Sequence, residues 1–489
     1  MRLGHVNYLI GRVIVALGAA MLLPLICSLI YKESEFAAFA WSIPICLLAG
    51  GALLFFCRGS KSQTLRRRDS LLFATLVWVS LAFFGSLPYV FSGCFADYAT
   101  CFFESMSGFT TTGASAVRIT ETLPHGILLW RSLSHWLGGA GVVLIFVMLL
   151  QRRDDSGEGM AVYNAEFSGG ALTQRIAPRM EDNARAIFAV YVSITLLCLG
   201  ALLLGGMSFF DAVNHAMSTA ATGGFSTHTL SIEYFGSAYI EWVVSFFMIV
   251  AGINYSLLYL MVIKGRLKAG FKNQELRLYL FVIAAATLLL TVCLGVSGQY
   301  AEEGIVFSLR KSLFQSASII TTTGFASADF GLWPGFARFL LFGLMLAGGC
   351  AGSTAGSIKM GRWLVALKAL GTELLSVYRP RAVRGVNYNG KPLGTELIRR
   401  MTTYFFLYVT LALGGGLLLA LAGMEPVEAA GAAVASLGNV GPAVGSVGVA
   451  GSYAQVSALG KYVLTFLMLV GRLELFTVLV LFTPKIWKK

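Results

Sequence analysis

Charge is scarce in this chain: 12% of its 489 residues are Asp, Glu, Lys or Arg, against about 25% in an ordinary soluble domain. Histidine is rarer still. His5, His125, His135, His215 and His228 are dispersed with no HExxH spacing, and no GxxxxGK[ST] phosphate loop occurs. The eight cysteines, among them Cys27, Cys46, Cys198, Cys293 and Cys350, fall mostly inside apolar runs, with no CxxC pair or Cys/His spacing for zinc. Cys94 and Cys101 could pair, but free thiols are the simpler reading. Glycine clusters lie in apolar stretches or turns rather than after a strand, so no nucleotide-binding unit is indicated. These absences exclude a metalloprotease, a zinc module and ATP-driven transport by this chain. No enzyme and no cofactor is expected.

What is abundant is apolar surface: 56% of residues are hydrophobic and the mean hydropathy is +0.74. Stretches near the ~20 apolar residues that span a bilayer recur from end to end. The net charge of +13 would suggest nucleic acid in a soluble protein, but its distribution does not. Of 37 Lys and Arg, 24 lie in the connections 57–69, 151–186, 264–277 and 378–400 and in the tail after Pro484, while alternate connections are nearly free of them. This is the positive-inside pattern, so the basic loops are expected to be cytoplasmic. The first apolar segment lacks a small-residue cleavage site and is expected to be retained as a helix.

Residues 8–30 and 38–57 read as two spanning helices. Beyond them, one pattern recurs four times: a long apolar helix, a shorter amphipathic segment, a small-residue turn, and another long helix. The short segments begin near Asp97, Asp211, Glu302 and Glu425. Each ends in a turn: Thr110-Thr111-Thr112-Gly113, Ala221-Thr222-Gly223-Gly224, Thr321-Thr322-Thr323-Gly324 and Gly438-Asn439-Val440-Gly441. Flanking spans fall at 70–91 and 127–150, 184–206 and 239–263, 277–297 and 335–376, and 398–423 and 456–483. The expected fold is an all-α polytopic membrane protein with ten spans and four re-entrant pore helices. It comprises two N-terminal transmembrane helices (1–57) and four membrane–pore–membrane repeats (58–151, 152–264, 265–380 and 381–489) with pseudo-fourfold symmetry.

Irregular backbone survives at membrane depth only where protein buries it or where it lines a watery cavity. Four such turns meeting on one axis could present backbone carbonyls to a dehydrated cation. The acids Asp97, Asp211, Glu302, Glu303, Glu425 and Glu428 sit at or near the starts of the short helices, where they suit the positive end of the helix dipole as caps. The opposite, negative ends then favour cations.

The run Phe103-Glu104-Ser105-Met106-Ser107-Gly108-Phe109-Thr110-Thr111-Thr112-Gly113, with His135-Trp136-Leu137-Gly138-Gly139-Ala140-Gly141, resembles the TrkH/TrkG potassium-uptake branch of the Trk/Ktr/HKT superfamily. The resemblance covers essentially the whole chain. It implies K⁺ as the transported ion, a bacterial inner-membrane location, a homodimer and a cytosolic nucleotide-binding regulatory ring of the TrkA type. It also implies one filter glycine per repeat, carried here onto Gly113, Gly223, Gly324 and Gly441. The expected K⁺ filter is therefore Thr111, Thr112 and Gly113; Ala221, Thr222 and Gly223; Thr322, Thr323 and Gly324; and Asn439, Val440 and Gly441. Gly438 is a competing register in the fourth turn. In this superfamily a serine at the first filter glycine accompanies Na⁺ permeation, so Gly113 argues for K⁺.

Two further features bear on control. In the third repeat the second long helix is interrupted by Gly348, Gly349, Gly352, Ser353, Thr354 and Gly356; four glycines in ten residues are costly in a helix, at roughly 1 kcal/mol each against alanine. Helical character resumes at about Ile358. Interrupted helices in transporters often mark the pathway, and a gate loop beneath the filter is expected, as the resemblance also implies. Arg472 lies deep in the last span, where a charge is expensive. It could face the pore as an electrostatic barrier, or snorkel to the interface, or pair with Glu474. Lys359 and Arg362 are expected on the cytoplasmic half. Channel-like flux is favoured over a K⁺ symporter coupled to H⁺ or Na⁺, because no buried Asp or Glu stands out away from the short-helix starts, apart from Glu474.

Overall fold

A computed structural model describes residues 3–60, 66–150, 180–379 and 385–487. The basic stretches 61–65, 151–179 and 380–384 and the last two residues lie outside them. The described chain is helical apart from one two-stranded hairpin, Asn387–Tyr388 paired with Lys391–Pro392. Six helices are long and apolar enough to cross a bilayer, or eight if each of two sharply bent pairs counts once, among the described residues. Leu3–Ile30 and Phe36–Phe56, the expected N-terminal spans, are two of the six.

Between the long helices sit four short ones: Tyr98–Phe109, Phe209–Ala220, Ile305–Ile320 and Pro426–Leu437. Their starts are set by local chemistry. The Asp97 carboxylate accepts from the Thr100 N–H at 2.7 Å, and Glu425 accepts from the N–H groups of Val427 and Glu428 with Pro426 at the first helical position, an arrangement in which the missing proline donor costs nothing. In the second helix the cap is Ser208, which accepts from the Asp211 N–H and donates to its carboxylate. The third corrects the sequence expectation. Glu302 and Glu303 do not cap it; the chain enters through Gly304 at φ +83° without a side-chain cap.

The break at Gly348 is present: the helix Gly335–Leu344 stops and a new one, Met360–Tyr378, begins. Two further breaks were not anticipated. Ala238–Ala251 turns by 102° into Tyr255–Ile263, and Ala458–Arg472 turns by 109° into Phe476–Phe482. Asn254 caps the restart of the first by accepting from the Leu257 N–H at 3.1 Å. The second runs through Glu474 and Leu475 at φ +56° and +55°, a left-handed conformation that costs non-glycine residues energy. Cys94 and Cys101 are both free thiols.

Candidate functional site

All four short helices end alike. The residue after the cap turns left-handed: Thr111 (φ +53°), Thr222 (+53°), Thr322 (+55°) and Asn439 (+53°). The next residue's N–H then closes back onto the helix, from Thr112 to Ser107 O, Gly223 to Ser218 O, Thr323 to Ser318 O and Val440 to Ala435 O. Glycine usually holds the left-handed position of such a helix stop. Threonine holds it three times here, a costly choice of the kind that collects at functional sites.

One residue further on, positive φ returns at Gly113 (+77°), Gly224 (+88°), Gly324 (+80°) and Gly441 (+98°). This fixes the register of the turns and changes the second. Gly224, not Gly223, is the counterpart of Gly113, and the matching triplet is Thr222-Gly223-Gly224 rather than Ala221-Thr222-Gly223. Two adjacent glycines had hidden this, whereas the Gly-Phe pairs Gly224-Phe225 and Gly324-Phe325 carry the correct alignment. In the fourth turn Gly438 is helical (φ −78°), so Gly441 is the counterpart.

These glycines interlock. A Cβ on Gly113 would stand 2.1 Å from the Gly223 oxygen, one on Gly224 2.0 Å from the Thr323 oxygen, one on Gly324 2.2 Å from the Val440 oxygen, and one on Gly441 2.6 Å from the Thr112 oxygen. The contacts run from turn one to two, three, four and back to one. The four turns therefore close a ring in which each glycine leaves room for its neighbour's carbonyl. Thr112, Gly223, Thr323 and Val440 are buried, and among the described residues no protein donor reaches any of these four carbonyl oxygens. Buried carbonyls are normally paired, so a closed ring of four without donors is suited to a desolvated cation.

Outside the ring lies a cavity of about 100 Å³ bordered by Gly113, Gly224, Gly324, Pro442, Arg131 and Tyr453. Around it, buried cations brace the chain leaving the turns. Arg131 pairs with Glu104 at 2.9 Å, donates to the Ser115 hydroxyl at 2.9 Å and to Ser226 O, and stacks over Phe225. Lys311 pairs with Glu241 at 2.8 Å and donates to Ser327 O at 2.6 Å. Lys461 donates to the Thr100 hydroxyl at 2.7 Å. Sequence reasoning passed over all three, although the rule that flagged Arg472 would have found Arg131 in the apolar run Leu129-Trp130-Arg131. His135, buried, stacks on Phe225 and meets the Ser218 hydroxyl at 3.1 Å, and His215 meets the Ser226 hydroxyl at 2.9 Å. Both are buried against these neighbours.

The 348–359 segment lies on the other side and touches turns three and four and the end of the second short helix directly, reaching the first turn only through Arg472. Gly356 N–H donates to the Thr322 hydroxyl at 2.6 Å, and Gly356 is close enough to turn four that a Cβ would stand 2.4 Å from Gly438 O. The Thr354 hydroxyl donates to Ala220 O at 3.2 Å. Arg472 completes the set: it donates to Thr354 O and the Thr111 hydroxyl, each at 3.0 Å, and to Gly138 O at 2.9 Å. Arg472 therefore reaches toward the turns, and Glu474 pairs with Arg362, whose guanidinium also lies over Tyr404. Gly348 donates to Ile358 O at 2.9 Å, Gly349 accepts from Met360 N–H at 3.0 Å, Gly352 accepts from Tyr255 N–H, and the Ser353 hydroxyl donates to Cys350 O. Thr354, Lys359, Arg472 and Glu474 line a cavity of about 50 Å³ beneath. Lys359 and Arg362 are buried.

A family model described as TrkH, cation transport protein, matches residues 35–489. This chain belongs to the TrkH family. Among its relatives, the Trk system potassium uptake protein TrkH of Halomonas elongata is 35% identical over the full length of both chains. TrkH of Escherichia coli K12 is 32% identical, again over the full length of both. The crystal structure of the potassium transporter TrkH from Vibrio parahaemolyticus superposes with a TM-score of 0.90 at 32% identity, covering all of each chain. The TrkH-family chain is thus a mostly helical membrane protein of a transport family, and its relatives are named for potassium uptake.

Proposed function

We propose that this chain is the ion-translocating subunit of a Trk system and passes K⁺ through the ring formed by its four turns. The observation that carries this is the closed set of buried carbonyls of Thr112, Gly223, Thr323 and Val440, free of protein donors among the described residues and spaced by Gly113, Gly224, Gly324 and Gly441. Backbone oxygens in such a ring can replace a cation's hydration shell. The short helices direct their negative ends toward it. Four membrane–pore–membrane repeats about a pseudo-fourfold axis, with ten spans counting the broken helices, account for this arrangement. The basic loops then face the cytoplasm of a bacterial inner membrane. A homodimer and a TrkA-type cytosolic ring complete the proposed assembly.

The 348–359 segment is the proposed gate, because it contacts the second, third and fourth repeats' turns or helix ends directly and the first turn through Arg472, and Arg472 beside it is the electrostatic barrier. The buried carboxylates of Glu104 and Glu241 face cations at contact distance and Glu275 accepts three hydrogen bonds. Buried acids are therefore present, contrary to the sequence expectation, but these three are each already engaged by cations or donors, and channel-like flux remains favoured over symport. Reconstitution in liposomes tests both points. Rb⁺ influx down its own gradient, indifferent to H⁺ and Na⁺ gradients and raised by deleting residues 352–356, is expected. Influx that requires a proton or Na⁺ gradient would replace the channel with a symporter, and unchanged influx after the deletion would remove the gate.

A further inference from the structure

The gate segment has two ends, and one carboxylate holds both. Glu275 lies in the first turn of Gln274–Ser297 and is 3% exposed. Its Oε1 accepts from the Ala351 N–H at 2.7 Å, where the segment begins, and from the Gly361 N–H at 2.9 Å, where helix resumes. Its Oε2 accepts from the Tyr388 hydroxyl at 2.9 Å. Both oxygens are thus engaged, and the second bond reaches a different part of the chain.

Tyr388 belongs to the hairpin Asn387–Pro392, whose turn residues Asn389 and Gly390 have φ +48° and +80°, as a two-residue Asn-Gly hairpin requires. The hairpin is seated on the same helix start. Gln274 N–H donates to Asn389 Oδ1 at 2.9 Å, and Lys368 bridges Gln274 Oε1 and Asn387 O at 2.6 and 2.7 Å. The chain before Glu275 also reaches the gate: Cys350 N–H donates to Gly252 O at 2.8 Å, and the Asn254 amide donates to Ala351 O. The segment from Gly252 to Glu275 therefore grips the first residues of the gate from both of its ends.

We infer that Glu275 is a positioning residue for permeation. Its carboxylate clamps Ala351 and Gly361 so that the 348–359 segment stays beneath the ring. Tyr388 latches the carboxylate, making the hairpin the handle by which a force on the proposed cytoplasmic side loosens the gate. Neither residue touches the ring, so both act through the segment they hold. This rests on the reading of 348–359 as the gate.

Two readouts separate the clamp from a merely structural role. The first is Rb⁺ influx of the full chain in liposomes. The second is the rate at which a membrane-impermeant maleimide labels Ser353→Cys in purified protein, with the chain lacking that cysteine as the blank for native thiols. Tyr388→Phe keeps both backbone donors on Glu275 and removes only the latch. It is expected to raise labelling and influx together by about fivefold, the factor for one net hydrogen bond, and Glu275→Ala to raise both further. Labelling at the parent rate in Tyr388→Phe and Glu275→Ala overturns the clamp. So does faster labelling with unchanged influx. Deleting 352–356 in parallel distinguishes the failures. If the deletion raises influx and the two variants do not, the gate stands and the clamp falls; if the deletion also changes nothing, the gate reading itself has failed. Should Glu275→Ala not fold, Tyr388→Phe alone decides.

Discussion

Gly224→Ala is the most direct test of the ring, because the obstacle it creates is backbone. At φ +88° an alanine pays roughly 1–2 kcal/mol for its left-handed conformation. Its Cβ would also stand 2.0 Å from the Thr323 oxygen and 3.2 Å from the Thr323 carbonyl carbon, where even a close C···O contact is about 3.3–3.6 Å. The carbonyl must retreat by more than ~1 Å, at an overpacking cost of about 1–3 kcal/mol. One of the four ring oxygens then leaves its place. The expected result is at least a tenfold loss of K⁺ over Na⁺ discrimination, about 1.4 kcal/mol, read from competition of Rb⁺ uptake by the two ions. Gly223→Ala is the internal control. Its Cβ meets the His135 ring, with Nδ1 at 2.2 Å, and a side chain can be removed. Gly223→Ala in a His135→Ala background should therefore match His135→Ala alone, while Gly224→Ala offers no such relief. A folded Gly224→Ala protein with parental discrimination would refute the assigned register, and with it the role of the carbonyl ring.

Three other outcomes are expected. Arg472→Ala should raise Rb⁺ influx and flatten its voltage dependence: any two like unit charges about 6 Å apart at an effective dielectric near 20 repel by roughly 3 kcal/mol, so unchanged flux would remove the barrier. Glu104→Ala strands buried Arg131, a loss of about 3–5 kcal/mol visible as a lower melting temperature in detergent, and a double Glu104→Ala/Arg131→Ala chain should lose less than the two single changes added. In the connection before His125, burial pushes the Glu121 carboxyl up, but hydrogen bonds from Thr229 and the neighbouring His228 hold it below its usual range; the tie between 118–122 and 227–231 is therefore complete above the ordinary carboxylate pKa of about 4.3 and is lost as pH falls through the depressed value, which hydrogen exchange of these two loops would register.

Much of the architecture was legible because bilayers make strong demands. Long apolar runs, capped short helices and glycine at Gly113, Gly324 and Gly441 are local signals, each with one physical cause. The register of the second turn was not, since Gly223 and Gly224 are equally permissive along the chain; the left-handed φ at Gly224 and the ring's closure separate them, with the Gly-Phe pair the one sequence signal that agrees. The breaks at Gly252–Asn254 and Leu473–Leu475 escaped notice because neither is glycine-rich; one depends on an asparagine cap and the other on left-handed Glu474 and Leu475. Buried ions were underestimated for a different reason. Glu104 and Arg131 are 27 residues apart and Glu241 and Lys311 are 70 apart, so each looks unpaired along the chain and only the fold supplies its partner. The Asn389-Gly390 turn was a readable hairpin signal inside a connection noted only for its charge.

The ring and the segment beneath it are held by different kinds of force, and the difference suits their roles. The ring is set by backbone interlock: moving a carbonyl requires moving a glycine of the neighbouring turn. The segment beneath, the proposed gate, is set by separable polar contacts: Cys350 to Gly252, Gly352 to Tyr255, Thr354 to Ala220, Gly356 to Thr322, Arg472 to Thr354 and Ala351 to Glu275. At about 0.5–1.5 kcal/mol net each, these amount to several kcal/mol, and opening forfeits only those that the open state does not replace. That is the scale on which a partner with differential affinity for two states can shift a population from mostly closed to mostly open, about 5.5 kcal/mol for a full reversal. An apolar plug of similar size would bind the ring without any single contact to release. A gate held at its ends by one carboxylate can instead be loosened from the side, while the carbonyls above it keep their places.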